Sequence, residues 1–100
     1  MAKLNSILHQ ELRLAIVSFL ATAEWVDFKK LIEVTEATKG NLSVQISKLE
    51  KAGYLEVKKS FKNNYPLTEC KLKAKGKEEL EAYIADLKKK LETLYLRNPE

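Results

Sequence analysis

Residues 38–55 read Thr38-Lys39-Gly40-Asn41-Leu42-Ser43-Val44-Gln45-Ile46-Ser47-Lys48-Leu49-Glu50-Lys51-Ala52-Gly53-Tyr54-Leu55. They spell a short amphipathic helix with a start, a stop and a strand behind it. Leu42, Ile46 and Leu49 recur at spacings of four and three, which at about 100° per residue gives one apolar stripe. Thr38 has the chemistry of an N-cap, and Gly53 supplies the positive φ common just past a helix end. Opposite Leu42 lie Gly40, Asn41, Val44, Ser47, Lys48 and Lys51, with no acid among them; Glu50 sits on a flank. A surface helix usually mixes both signs of charge on its wet side. Small polar groups, amides and lysines instead suit the acceptor-rich major groove of double-stranded DNA.

The rest of the composition agrees with a polyanion partner. The chain has 100 residues and a net charge of +4, enough for one domain spanning 1–100 with a modest core. Hydrophobic residues at 45% and charged residues at 32% exclude a disordered tail. Lysines 39, 48, 51, 58, 59 and 62 face only Glu50 and Glu56 over that stretch, and lysines 71, 73, 75 and 77 follow with no acid between them. No run approaches the roughly 20 apolar residues of a membrane span, and no signal-peptide pattern opens the chain. Cys70 is the single cysteine, so no internal disulfide forms and a cytoplasmic location is expected.

Around the central helix, periodicity predicts the other elements. Residues 4–21 read as a helix, with Leu8, Leu12, Ala15, Ile16, Phe19 and Leu20 on one face and Ile7, Leu14 and Val17 on another. A helix apolar on two sides is buried on two sides, either inside its own domain or against a second subunit. Glu24-Trp25-Val26 is a short β-prone piece. Asp27 caps a helix from Phe28 to about Glu36 whose inward residues are Phe28, Leu31, Ile32 and Val34. Leu55 and Val57, then Thr68, Cys70 and Leu72, alternate with polar residues as two strands, joined by a tip at Lys62-Asn63-Asn64-Tyr65-Pro66. From about Lys75 to Leu96, Leu80, Ile84, Leu87, Leu91 and Leu94 make a heptad-like seam that Tyr83 and Tyr95 widen. Such a helix is about 30 Å long, more than so small a domain covers, and a homodimer is the natural expectation.

The order helix, short strand, helix, helix, strand, tip, strand, long helix is that of the winged helix-turn-helix. The residues resemble small single-domain transcriptional regulators of the MarR/ArsR-like class over nearly the whole chain. The match runs through Arg13-Leu14-Ala15-Ile16, Asp27-Phe28-Lys29-Lys30-Leu31, Gly40-Asn41-Leu42-Ser43 and Lys48-Leu49-Glu50-Lys51-Ala52-Gly53-Tyr54. It continues at Lys59-Ser60-Phe61, Pro66, Thr68, Leu72 and Gly76. The resemblance implies an α+β, mostly α fold with a two-stranded wing, a short third strand and a long C-terminal dimerisation helix. Two features depart from it. The wing tip carries Lys62-Asn63-Asn64-Tyr65 in place of arginine, which weakens A·T minor-groove reading and leaves backbone contact. Leu72-Lys73-Ala74-Lys75-Gly76 lacks the threonine that usually caps the last helix.

The expected function is therefore a homodimeric, sequence-specific regulator of transcription, a repressor by class habit. Its DNA contacts are expected from Thr38, Lys39, Asn41, Ser43, Val44, Gln45, Ser47, Lys48 and Lys51 on the helix, Gln45 lying between DNA and the rim of the core. Lys58, Lys59, Lys62 and Asn63 on the wing complete the set. The dimer is expected to rest on Ile7, Leu14, Val17, Leu80, Tyr83, Ile84, Leu87, Leu91 and Leu94. A rival use of the same surface is a protein-interaction or architectural module without sequence readout. Lysines on the wing also serve simply to guard an edge strand. His9 and Cys70 make no metal-ligand cluster, no catalytic spacing or phosphate loop appears, and neither an enzyme nor a cofactor is expected. Nothing marks a small-molecule effector site.

Overall fold

The computed structural model describes residues 3–96; residues 1–2 and 97–100, the ends of the expected domain, lie outside the described residues. The elements are α1 (Glu11–Leu20), β1 (Val26–Asp27), α2 (Phe28–Thr35), α3 (Lys39–Lys51), β2 (Leu55–Lys62), β3 (Tyr65–Leu72) and α4 (Ala74–Leu91). A wider, π-type turn over Glu92–Leu96 extends α4. Together they form a winged helix, mostly α, with a three-stranded antiparallel sheet in the order β1-β3-β2.

Local chemistry fixes the ends of the helices. Asp27 Oδ1 accepts the Lys30 backbone N–H at 2.8 Å and starts α2. Thr38 Oγ1 accepts the Asn41 N–H at 3.2 Å and starts α3. Past the end of α3, Gly53 takes φ +83°, where a side chain would be strained. The start of α4 has no side-chain cap, as the missing threonine predicts.

The first helix is shorter than its periodicity suggests. Asn5 Oδ1 accepts the N–H groups of Ile7 and Leu8 at 2.8 and 3.1 Å and closes a separate turn. Gln10 is extended (φ −153°, ψ 129°) and its side chain caps α1 by accepting the Arg13 N–H at 2.7 Å. Amide side chains thus compete with the backbone ladder and break one apparent helix in two. The apolar face turns accordingly: Leu12, Ile16, Val17 and Leu20 are buried, while Ala15 is exposed. α1 lies in the middle of the molecule, packed by α2, α3, α4 and β3.

The core joins Leu8 and α1 to Val26, Leu31, Leu42, Ile46, Leu49, Tyr54, Leu55 and Cys70, and to Leu80 and Tyr83 of α4. Three expected interface residues, Val17, Leu80 and Tyr83, are thus spent inside the monomer, because α1 and the first half of α4 pack on each other. Ile7, Leu14 and Leu87 are half-buried against the same core. Val34, expected inward, is exposed, since α2 ends one residue later, at Thr35.

In the wing, β2 and β3 pair from Leu55 opposite Leu72 to Lys62 opposite Tyr65. The tip is thus two residues, Asn63 and Asn64, both at positive φ (52° and 66°), rather than the five expected. Asparagine tolerates that conformation, and consecutive positive-φ residues match the twist of a hairpin. Pro66 falls within β3 opposite Phe61. It is tolerated because β1 pairs only with Cys70 and Glu69, leaving the outer part of β3 a second neighbour short.

Candidate nucleic-acid interface

Burial of Leu42, Ile46 and Leu49 fixes the rotation of α3, so its other residues are placed by elimination. Thr38, Lys39, Asn41, Ser43, Val44, Lys48 and Lys51 are exposed, and Ser47 is half-buried. At the far end of the helix, Lys75 Nζ donates to the Ala52 carbonyl at 2.9 Å. A cation there satisfies an orphan acceptor and complements the helix dipole.

Gln45 differs from its neighbours. It is 8% exposed, and its Oε1 accepts from Arg13 Nη1 at 2.6 Å while its Nε2 donates to Asn41 Oδ1 at 3.0 Å. Of the two surroundings expected for Gln45, DNA or the rim of the core, the monomer places its side chain at the rim: a partner 32 residues away in sequence has drawn it inward.

The wing does not present its lysines as one patch. Lys59 lines a shallow groove with Phe28, Ser43, Ile46, Ser47, Glu50, Val57 and Thr68, between α3 and the hairpin. One residue earlier, Lys58 points to the other face of the sheet. Its Nζ lies 3.6 Å from Glu69 and 4.6 Å from the centre of the Trp25 ring. Lys71 flanks the same ring at 5.8 Å and pairs with Glu24 at 3.3 Å. Lys59 thus remains beside α3, and Lys58 belongs to a cluster around Trp25. Lys62 and Asn63 lie at the tip, with Lys62 on the same face of β2 as Lys58. Sequence reasoning gave no role to Phe61 and Tyr65, which flank the tip at 76% and 75% exposure. Aromatics that exposed bring the hairpin no burial of their own, and their β propensity disguised them as strand filler.

Cys70 is buried. Burial, with a smaller push from Glu50, lifts its thiol to about 11, so at neutral pH it is a small protonated apolar residue rather than a nucleophile. Among the described residues no helix is long and apolar enough to cross a membrane.

Comparison with known proteins agrees with this geometry. Residues 12–91 match the model of the winged helix DNA-binding domain family, and the chain belongs to that family. It is 32% identical over 81 residues to an uncharacterised protein of Methanocaldococcus jannaschii, covering 81% of this chain and 88% of the relative. The solved structure of a transcriptional regulator homologue from Pyrococcus horikoshii superposes with a TM-score of 0.80 at 30% identity, covering 88% of this chain and 87% of that one. The protein smu.1704 of Streptococcus mutans shares the fold at 17% identity and a TM-score of 0.68, covering 94% and 90% of the two chains.

Proposed function

We propose that this protein is a homodimeric, sequence-specific regulator of transcription that binds double-stranded DNA, acting as a repressor by the habit of its class. One observation carries the reading. α3 spends its whole apolar stripe on the core and leaves amide, hydroxyl and lysine groups exposed beside a groove, lined by Ser43, Ser47 and Lys59, that separates it from the wing. The likeness to the Pyrococcus horikoshii regulator homologue supports the same reading. In the proposed complex α3 enters the major groove and the hairpin lies on the adjacent backbone. Asn41 and Lys48 supply polar contacts, and Val44 meets a thymine methyl. Two copies place their α3 helices in successive major grooves roughly 34 Å apart on a pseudo-palindrome.

The second half of α4 is the proposed dimer surface. Ile84 and Leu91 are each 55% exposed, and Leu94 and Tyr95 extend the stripe. Ile84, Leu91 and Tyr95 line an open groove with Leu87, Lys88 and Glu92. The radius of gyration, 15.7 Å, exceeds the roughly 13 Å expected of 100 compact residues. α4 and the wing project from the body, and a second copy laid along α4 would cover its apolar stripe.

Two measurements test the DNA reading. Val44→Glu combined with Lys48→Ala changes only exposed positions. It should abolish preference for a selected site while the fold persists by circular dichroism. Retained preference would instead favour a protein-docking role for α3. Lys59→Ala combined with Lys62→Ala should flatten the dependence of log K on log salt by up to about 2 per protomer. An unchanged slope in fluorescence titrations would remove the wing from the interface.

A further inference from the structure

We infer that Gln45, which is itself screened from DNA, dictates what Asn41 offers to it. Asn41 presents amide hydrogens outward, and so pairs with an acceptor on the duplex rather than with the donor–acceptor edge of adenine. This inference rests on the DNA-binding reading above and adds the chemistry of one contact.

The chain of donors leaves one arrangement. Arg13 carries only donors. Its Nε binds the Ile7 carbonyl at 2.6 Å and its Nη2 lies 3.5 Å from the Ser6 carbonyl, which pins the guanidinium against the turn before α1. The atom of Gln45 that meets Nη1 at 2.6 Å must therefore be its oxygen. That orients the Gln45 NH₂ toward Asn41, and an NH₂ group needs an acceptor, so the Asn41 atom at 3.0 Å is Oδ1. The Asn41 oxygen is thus held on the protein side, one turn up the same helix, and its NH₂ is left on the exposed side. Because Gln45 is desolvated, turning either amide would set like against like where water cannot repair it.

Reading adenine takes both halves of an asparagine amide, the NH₂ on N7 and the oxygen on N6. The Asn41 oxygen keeps a second lone pair, but Gln45 holds that oxygen on the protein side, so the outward NH₂ suits guanine N7 or O6, thymine O4, or a phosphate oxygen. Gln45 and Arg13 are positioning residues in this scheme: they touch no DNA, yet set which base it favours.

Gln45→Glu tests the scheme. A glutamate still accepts from Arg13, but its second oxygen accepts where the amide donated. The Asn41 amide must then turn, with NH₂ inward and oxygen outward. Site selection from random duplex DNA would be run with wild-type protein, Asn41→Ala and Gln45→Glu. The position that loses its preference in Asn41→Ala marks the contact. Wild type should favour guanine or thymine there, and Gln45→Glu should move that one position to cytosine or adenine with the remaining motif intact. If the acceptor is a phosphate, the motif stays and Gln45→Glu weakens binding to every site alike, by about tenfold.

Asn41→Asp is the second variant, at an exposed position that leaves folding intact. It keeps the inward oxygen and replaces the outward donor with another oxygen, so it too should bind about tenfold more weakly. A wild-type preference for adenine at the contact overturns the proposal. So does Gln45→Glu with unchanged motif and affinity, or Asn41→Asp with undiminished binding. A wild-type protein that enriches no motif overturns the DNA reading as well, whereas an enriched motif whose sequence and affinity are both indifferent to Gln45→Glu overturns this inference alone.

Discussion

Ile84→Glu combined with Leu91→Glu is expected to give monomers and to weaken binding to a two-half-site DNA by about 100-fold or more. Both side chains are more than half exposed in the monomer, so their replacement leaves the fold within about 0.5 kcal/mol of wild type. In the proposed dimer each would be covered, and a carboxylate forced into an apolar seam without a partner costs several kcal/mol. Leu87 is left alone because it also packs against its own core, and its loss would confuse folding with association. The DNA effect follows from linkage: once one α3 is bound, the second half-site is met at high local concentration, and separation forfeits that gain. Sedimentation velocity with fluorescence anisotropy reads both effects. Dimers persisting at the same strength would remove this face of α4 from the interface.

The second large effect concerns stability. Gly76→Ala should destabilise the fold by about 1–3 kcal/mol, lowering Tm by roughly 5–15 °C. A methyl at Gly76 would fall 2.5 Å from the Tyr54 carbonyl oxygen and 2.6 Å from Leu72 Cδ1. The backbone cannot step aside easily. The Tyr54 carbonyl accepts the Lys73 N–H at 2.9 Å, and the Tyr54 N–H donates to Leu49 at 3.0 Å. The Tyr54 hydroxyl is also held, accepting from Asn5 Nδ2 at 2.8 Å. Here the end of α3, the start of the wing and the first turn of α4 meet, so strain at Gly76 loosens all three. Gly40, with nothing within 4 Å of an added Cβ, provides the contrast: Gly40→Ala should hold or raise stability, by up to about 1 kcal/mol. Equal melting temperatures for Gly76→Ala and wild type would refute the close approach.

The architecture was legible because its signals are local. Thr38, Gly53, the Leu42-Ile46-Leu49 stripe and the alternation around Cys70 each specify an element within a few residues, and their order gives the winged helix. What escaped depended on partners distant in sequence. The stripe on α3 reveals which residues face the core, but not that Arg13, on another helix, would draw Gln45 inward. Residues 4–21 keep a helical period across Gln10 even though side-chain capping interrupts the helix there, because a single turn preserves the spacing of Leu8 and Leu12. On α4 one seam divides, with Leu80 and Tyr83 inside the monomer and Ile84 and Leu91 exposed. A heptad pattern marks both alike. Lys58 and Lys59 are adjacent in sequence yet lie on opposite faces of the hairpin, a consequence of strand geometry that charge counting overlooks.

The central claim is that the exposed side of α3 reads DNA sequence. Selection of binding sites from random duplex DNA by the unmodified protein tests it most directly. The expected result is an enriched motif of two inverted half-sites, centred about one helical turn apart, with affinity that falls steeply as salt is raised. Recovery of no enriched motif, with binding indifferent to sequence, would contradict it.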